Sequence, residues 1–262
     1  MRIVFIGAGR LATNLAPALS NVGHQIVQVY SRTLSAASLL SEEVGAQAVD
    51  NLQQVTFDAD AFIFSVTDTA LPSLIALLGK GREKSVFLHT AGSVPMDVFA
   101  SHASHYGVLY PMQTFSKERK VDFSRVPFFI EGNDSQSLQL ARQLASSVSN
   151  NYRELSSEAR RHLHLAAVFA CNFANHCYQL SAEVLAQYDI PFDVMLPLID
   201  ETAAKVHELP PVQAQTGPAI RYDHNVMDAQ LQLLAAHPLH AQIYQLMSKS
   251  IHNSQQCFNH YD

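Results

Sequence analysis

The sequence predicts an α/β fold, in which an N-terminal, doubly wound parallel sheet is followed by a C-terminal all-α domain. Two observations carry this prediction. Short apolar runs alternate with helical patterns up to about residue 155, as expected for successive βαβ units. From Ser156 onward the chain has only helical patterns, which prolines interrupt. We therefore predict one domain over residues 1–155 and a second over residues 156–262.

The overall composition argues against several classes of partner. The 17 basic and 23 acidic residues give a mildly negative chain, which disfavours a nucleic acid or an anionic membrane surface as partner. No apolar run is long enough to cross a membrane, and Met1 leads directly into the first apolar run. These features predict a cytoplasmic protein.

The cysteines and histidines do not have the spacing of a metal or disulfide site. The three cysteines are too few and too irregularly spaced for a disulfide framework, and we expect buried free thiols. They are Cys171, Cys177 and Cys257. The pairs His162/His164 and His237/His240 lack further ligands at metal-site spacing and are expected at solvated helix positions. We predict no bound metal.

The first strand, Arg2 to Ile6, leads into a G-x-G-x-x-A turn. Gly7 permits the tight turn, Gly9 lets the backbone approach a pyrophosphate, and Ala12 lets the following helix pack closely. The free N–H groups at the start of that helix, Arg10 to Val22, suit phosphate oxygens. A turn that binds nothing is the alternative. The predicted phosphate-binding residues of this Rossmann-type domain are Gly7, Gly9, Arg10, Leu11 and Ala12.

The second strand, Gln25 to Tyr30, ends in the polar sequence Ser31-Arg32-Thr33. NAD-specific folds place a carboxylate here to bind the ribose 2′-hydroxyl, but no Asp or Glu occurs from His24 to Ser41. Hydroxyls and a guanidinium are ligands for the 2′-phosphate of NADP, so we predict NADP as the cofactor. The alternative is that Arg32 is an ordinary surface residue and cofactor choice is loose.

The next elements continue the βαβ pattern. We expect a helix at Leu34 to Val44, a short strand at Ala46 to Val49, and a buried strand at Ala61 to Val66. Asp68 is well placed to cap a helix over Ala70 to Leu78. Ligands bind at the carboxyl ends of parallel strands, so we expect three residues beside the nicotinamide ribose, although capping alone would also explain the aspartate. They are Val66, Thr67 and Asp68.

A further strand, Ser85 to His89, brings hydroxyl groups to the same edge of the sheet. Thr90 and Ser93 follow it and are candidates to meet the substrate, although a polar turn that satisfies only backbone groups fits equally well. The remaining elements of this domain are predicted strands at Gly107 to Tyr110, Phe128 to Glu131 and Tyr152 to Glu154, with a helix at Gln136 to Ser147.

The helical region contains two candidate polar sites. A long helix beginning near Glu158 carries His164, Val168, Asn172, Asn175 and His176 on one predicted face. Asparagine is a poor helix former, so these residues indicate either a polar site or a structural hydrogen-bond network.

Farther along, the loop from Thr216 to Asp223 presents Arg221, which suits a carboxylate or a phosphate. An internal pair between Arg221 and Asp223, or a pair at a helix end, is the alternative.

Together these motifs resemble the Rossmann-like family described as deazaflavin-dependent NADP oxidoreductase-like, which carries an uncharacterised C-terminal helical domain. More distantly, the chain is similar to pyrroline-5-carboxylate reductases and to β-hydroxyacid dehydrogenases of the 6-phosphogluconate dehydrogenase type. The resemblance covers nearly the whole chain. Its motifs are Gly7 to Ala12, Ser31-Arg32, Val66 to Asp68, His89 to Ser93, Pro111 to Phe115, the Asn172 helix, and Gly217-Pro218 with Arg221 and Asp223.

The resemblance implies NADP(H) binding, a homodimer built through the helical domain, and a substrate pocket between the domains. Two positions depart from the related families. Val168 stands where the β-hydroxyacid dehydrogenases carry a proton-donating lysine, and His164, one turn earlier, could replace it. Tyr222 stands where relatives usually have glycine.

We therefore predict an NADP(H)-dependent oxidoreductase that transfers hydride between NADPH and a small carbonyl or imine substrate. Thr90, Ser93 and Asn172 would bind the substrate, His164 would donate a proton, and Arg221 would hold an acid group. The alternative is a non-catalytic NADP(H)-binding sensor or partner-binding protein, which the missing lysine favours.

Overall fold

The computed structural model describes residues 1–259, which form two compact units. The first covers Met1–Asn172 and contains the sheet, whereas the second begins at Phe173 and is helical. The predicted fold class is confirmed. The first unit extends one helix beyond the predicted boundary at residue 155, because Arg160 of that helix pairs with Glu131 of the sheet. Composition alone gives no sign of this tertiary contact.

The sheet has eight strands in the order β3-β2-β1-β4-β5-β6-β7-β8. In chain order they are Arg2–Ile6 (β1), Gln25–Tyr30 (β2), Gln47–Val49 (β3), Ala61–Phe64 (β4), Val86–His89 (β5), His105–Pro111 (β6), Phe128–Gly132 (β7) and Tyr152–Glu154 (β8). Only β6 and β7 pair antiparallel; the other neighbouring strands are parallel. The strand order reverses between β1 and β4, and open sheets bind ligands at such a switch point.

Helices cover both faces of this sheet and create two core layers. They are Ala12–Asn21 (α1), Leu34–Val44 (α2), Leu71–Leu78 (α3), Ser135–Val148 (α4) and Ser157–Ala167 (α5). One layer contains Leu15 of α1 and Leu144 of α4, both fully buried. The other contains Ile75 of α3 with a group of phenylalanines that includes Phe62 and Phe87, whose ring centroids lie 5.1 Å apart. Burial on both faces explains the continuous apolar runs of the central strands.

Two elements at the switch point begin or end at residues other than the predicted ones. Helix α1 begins at Ala12, because the glycine-rich turn extends through Leu11. Strand β4 ends at Phe64, and the N–H of the next residue, Ser65, donates to the Ile6 carbonyl at 2.8 Å. The chain leaves the sheet there, so Val66 belongs to the loop above the sheet edge.

The second unit consists of helices over its described residues, 173–259. They are Ala174–Ala186 (α6), Leu196–Glu208 (α7), Pro211–Ala214 (α8), Pro218–Arg221 (α9), His224–Leu233 (α10) and Pro238–Asn259 (α11). Proline occupies the first turn of several of them, where its missing N–H costs nothing. Within residues 1–259, no helix combines the length and hydrophobicity required to cross a membrane.

The three cysteines are free, as predicted, but the expectation that they are buried is wrong. Cys171 and Cys177 are half-buried and Cys257 is exposed. These cysteines lie on helices that have few buried side chains. An expectation based on residue type and helical pattern is therefore too high for their burial.

Candidate cofactor site and active site

A cleft of about 870 Å³ opens at the carboxyl edge of the sheet, above the switch point. The loops after β1, β2, β4 and β5 form its walls. The predicted cofactor residues in its lining are Gly7, Gly9, Arg10, Leu11, Ser31, Arg32, Val66, Thr67 and Asp68, and Thr90 is present as well. Two predicted residues do not line it. Ala12 is fully buried in the core beneath, and Thr33 is exposed at the start of α2.

The glycine-rich turn has the geometry that the motif predicts. Gly7 has φ +112°, and a Cβ atom there would lie 2.2 Å from the Ser65 carbonyl oxygen, so no other residue fits without rearrangement. A Cβ at Gly9 would meet nothing closer than 3.9 Å. Leu11 occupies the cap position of α1 and offers no side-chain acceptor. The N–H groups of Thr13 and Asn14 donate to the Gly9 and Leu11 carbonyls, each at 3.0 Å, so the N–H groups from Arg10 to Ala12 are the ones left for a ligand at this helix start.

The end of β2 presents Ser31 and Arg32 to the cleft. The backbone N–H of Ser31 donates to the Val49 carbonyl at 3.1 Å, which fixes this turn to the neighbouring strand. The Arg32 side chain has no hydrogen-bond or ion-pair partner among the described residues. Asp68 is the only acidic residue in the lining, against Arg10 and Arg32, so the lining carries net positive charge. Such a cleft fits a phosphorylated dinucleotide.

The loops after β4 and β5 are tied together by a short hydrogen bond from the Ser93 hydroxyl to the Asp68 carboxylate. The prediction that Asp68 caps α3 is wrong, because Ala70 occupies the cap position and no side chain bonds there. The Thr90 hydroxyl donates to the Phe64 carbonyl at 3.2 Å and is nearly buried. Both hydroxyls therefore donate to structural partners, and their oxygen lone pairs remain available to accept a hydrogen bond from a ligand.

The strand-end histidine, His89, belongs to the core. It is fully buried, its ring stacks on Phe99 at 5.7 Å between centroids, and its Nδ1 accepts the Ala91 N–H at 3.2 Å. Burial, followed by the positive charge of Arg160, lowers the pKa of His89 to about 3, against a smaller opposing effect of the Pro95 carbonyl. The ring is neutral at pH 7 and positions the loop that follows it.

A buried ion pair supports the same loop from the other side. Arg160 of α5 is fully buried, and its Nη1 lies 2.6 Å from a carboxylate oxygen of Glu131 in β7. Its Nη2 donates to the Val94 carbonyl at 2.6 Å. Ser157 bridges the network, because its hydroxyl donates to Glu131 at 2.6 Å and accepts the Met96 N–H at 2.8 Å. The network joins α5, β7 and the segment after Ser93 into one rigid group.

His164 lies beside the Thr90 to Ser93 loop and contacts a residue that the sequence did not single out, Tyr110 of β6. The Tyr110 hydroxyl is 3.1 Å from His164 Nδ1. A Cβ atom at Gly92 would lie 2.5 Å from the same nitrogen, so the glycine allows the ring to approach. Tyr110 directly precedes Pro111, the first residue of a quoted motif, and its place at a strand end was the available signal.

Asn172 lies in a π-helical segment, Val168–Phe173, between α5 and α6. A π turn has an extra residue, so the regular spacing that placed Asn175 and His176 on the same face as His164 is not kept. Asn172 itself is exposed. Single π turns are common at functional sites in other proteins, and the segment is a second feature that sequence patterns do not reveal.

Arg221 closes the short helix α9 in the second unit and is exposed. Asp223 accepts the Val226 N–H at 3.4 Å as the cap of α10, and it forms no ion pair with Arg221. Tyr222 between them is left-handed, with φ 54° and ψ 47°, which explains why glycine would be favoured there. The role of Arg221 toward a substrate stays a prediction.

Within the described residues, no group of three or more His, Cys, Asp or Glu side chains could hold a metal ion.

Comparisons with known proteins match this arrangement. Residues 2–91 match the family model described as coenzyme F420-dependent NADP oxidoreductase, and residues 126–251 match that of a domain of unknown function, DUF2520. A crystal structure from Bacteroides fragilis, of a protein named "putative NADP oxidoreductase BF3122", is 53% identical over 96% of this chain and 98% of that one, with a TM-score of 0.92. The chain belongs to this NADP oxidoreductase family. The predicted resemblance is confirmed.

More distant members of the same fold include an imine reductase from Myxococcus stipitatus in complex with NADP⁺, at 15% identity, TM-score 0.72, and coverage of 98% of this chain and 95% of that one. A 1-pyrroline-5-carboxylate reductase from Streptococcus pyogenes is 14% identical over 97% and 98% of the two chains, with a TM-score of 0.63. Both likenesses concern the fold alone. No protein with a curated function matches the chain in sequence.

Proposed function

We propose that this protein transfers hydride between NADP(H) and a small carbonyl or imine compound. Membership of the NADP oxidoreductase family confirms the predicted enzyme class and cofactor. The observation that carries the proposal is the cleft itself, in which a glycine turn, an uncapped helix and Arg32 converge without a carboxylate at the end of β2. Bound NADPH would supply the hydride.

Each wall of the cleft takes one part of the cofactor in this proposal. The turn at Gly7 and Gly9 and the N–H groups from Arg10 to Ala12 bind the pyrophosphate. Ser31 and Arg32 bind the 2′-phosphate through hydroxyl and guanidinium hydrogen bonds. The loop from Val66 to Asp68 lies beside the nicotinamide ribose, and the bond from Ser93 fixes its carboxylate.

The substrate end of the site lies around the Thr90 to Ser93 loop. Thr90 and Ser93 offer oxygen lone pairs to a substrate N–H or O–H, and His164 provides the proton that the substrate heteroatom needs. Asn172 is proposed as a further hydrogen-bonding group. Arg221 would hold an acidic substituent, and Arg221→Ala should then raise KM for acidic substrates only.

The first experiment is a titration of the purified protein with NADPH and NADH, followed by cofactor fluorescence. Arg32→Asp removes a charge-assisted bond to the 2′-phosphate and places a carboxylate beside it, so NADPH affinity should fall by about 10- to 100-fold while NADH affinity holds or rises. Arg153→Asp is the matched control, because Arg153 is exposed on the edge strand β8, away from the cleft. Binding of neither nucleotide would refute the proposal.

A substrate screen then separates the enzyme from a sensor. NADPH oxidation is measured with small aldehydes, ketones and cyclic imines; imines are included because fold neighbours carry that name. His164→Ala should abolish turnover and leave NADPH affinity nearly unchanged. Tight NADPH binding without reduction of any compound in this panel would favour the sensor hypothesis. The valine at position 168 is the sequence feature that supports that hypothesis.

We also propose that the protein is a homodimer through its helical unit. From residue 173 to residue 258, only Ala219, Met227 and Ser248 are buried, whereas large apolar side chains such as Leu246 are exposed. A helical unit with so few buried side chains gains stability by covering that surface with a second copy. Leu246→Glu should shift the mass measured by light scattering to that of a monomer. Leu39→Glu, at an equally exposed leucine of α2, should leave the mass unchanged.

A further inference from the structure

We propose that Tyr110 and His164 form a proton relay, in which Tyr110 supplies, through the His164 ring, the proton that the substrate takes up. This inference rests on the proposed hydride transfer and deepens it. Three groups carry it: the Tyr110 hydroxyl, His164 Nδ1 and the backbone of Gly92, which meet at one point beside the cleft.

The geometry of the pair is tight. The Tyr110 hydroxyl lies 3.1 Å from His164 Nδ1, and the two rings meet edge-on with centroids 6.1 Å apart. A side chain at Gly92 would overlap the imidazole, so the glycine backbone sets where the ring sits. Thr90 and Ala91 of the same loop line the cofactor cleft. The pair therefore borders the position at which a substrate would meet the cofactor.

The surroundings of Tyr110 determine which imidazole nitrogen carries a proton. Tyr110 is 8% exposed, and burial raises the pKa of its hydroxyl, against a smaller effect of the Arg160 charge, so the phenol is protonated at neutral pH. Among the described residues, His164 Nδ1 is the hydrogen-bonding atom that the Tyr110 hydroxyl meets, so we assign it as the acceptor of the phenol proton. The neutral ring then carries its own hydrogen on Nε2.

In the relay, two proton transfers accompany each hydride addition. When hydride adds to the carbonyl or imine carbon, the heteroatom receives the electron pair of the π bond and takes the proton from His164 Nε2. The Tyr110 proton moves to Nδ1, so the ring stays neutral with its hydrogen on the other nitrogen. The positive charge of Arg160 offsets part of the cost of burying the phenolate that remains, and water reprotonates it after product leaves. Arg160, which pairs with Glu131, is the charged group that acts on the Tyr110 hydroxyl.

Tyr110→Phe tests the relay, because it removes one oxygen atom and keeps the ring. NADPH affinity should stay unchanged, while kcat above pH 7 should fall tenfold or more. Tyr106→Phe is the matched control, because Tyr106 lies on the same strand and its hydroxyl has no hydrogen bond to any described residue. It should behave like the wild type.

Nitrogen-15 NMR of the resting protein gives a readout that needs no turnover. The wild type at pH 7.5 should show His164 protonated on Nε2, and Tyr110→Phe should show a mixture of tautomers. A wild-type ring protonated on Nδ1 or on both nitrogens, or a Tyr110→Phe variant with the wild-type pH profile, overturns the relay. A wild type with the expected tautomer that binds no NADPH, or reduces no carbonyl or imine, overturns the proposed function instead.

Discussion

Replacing Gly92 by alanine tests the placement of His164 directly. The new Cβ atom would lie 2.5 Å from His164 Nδ1 and 2.9 Å from Cζ of Tyr110, whereas ordinary contact begins at 3.4 Å. The imidazole must therefore move by about 1 Å, and the 3.1 Å bond to Tyr110 lengthens beyond hydrogen-bond range. Losing that bond costs about 1 kcal/mol, and the overpacking costs about 1–3 kcal/mol more.

The free energy of unfolding should fall by about 2–4 kcal/mol, as measured by urea unfolding of wild type and variant. Because a 1 Å misplacement of a catalytic group can cost about 100-fold in rate, kcat should fall by that order. NADPH affinity should not change, since Gly92 does not line the cofactor cleft. A Gly92→Ala protein with wild-type stability and wild-type turnover would refute the position given to the His164 ring.

Three further changes probe the cofactor turn and the buried charges. Gly9→Ala meets no atom closer than 3.9 Å, so it should fold normally but weaken NADPH binding, and a titration with unchanged affinity would contradict the phosphate role. His89 is neutral when folded, with a pKa of about 3, and titrates near 6.5 when unfolded. Its contribution to stability is complete above pH 6.5 and is lost as pH falls, by about 1.4 kcal/mol per unit between 6.5 and 3; His89→Phe should flatten that slope in urea unfolding at a series of pH values. Arg160→Met leaves the half-buried Glu131 carboxylate without its buried partner and should cost about 3 kcal/mol, the lower end for a buried pair, and adding Glu131→Gln should recover part of the loss. A double variant less stable than Arg160→Met would argue against that pairing.

Local patterns in the sequence predicted the sheet domain well, for physical reasons. Strand β2, helix α2 and strand β8 lie where the patterns place them, because hydrophobic period and turn residues act over a few neighbours. The glycine turn and Ser31-Arg32 were predictable for the same reason. In a parallel sheet, the carboxyl ends of β1, β2 and β4 meet at one edge, so residues far apart in sequence share one cleft.

Other predictions failed because they depend on partners distant in sequence. Asp68 looks like a helix cap, but Ser93 supplies its hydrogen bond. The cysteines were expected to be buried because free cysteine is usually a buried residue type. Residue type does not show which helix faces remain uncovered, and the expectation was wrong for that reason.

The sequence by itself thus determined the fold class, the family and a set of residues that line one cleft, because those features are encoded in short motifs and in periodicity. Only the tertiary structure decided which residues contact His164. Tyr110 is 54 positions away along the chain, and Gly92 matters only because an imidazole from α5 packs on its bare Cα. Which atoms a side chain meets across a packed interface depends on the arrangement of whole elements, and no local pattern records it.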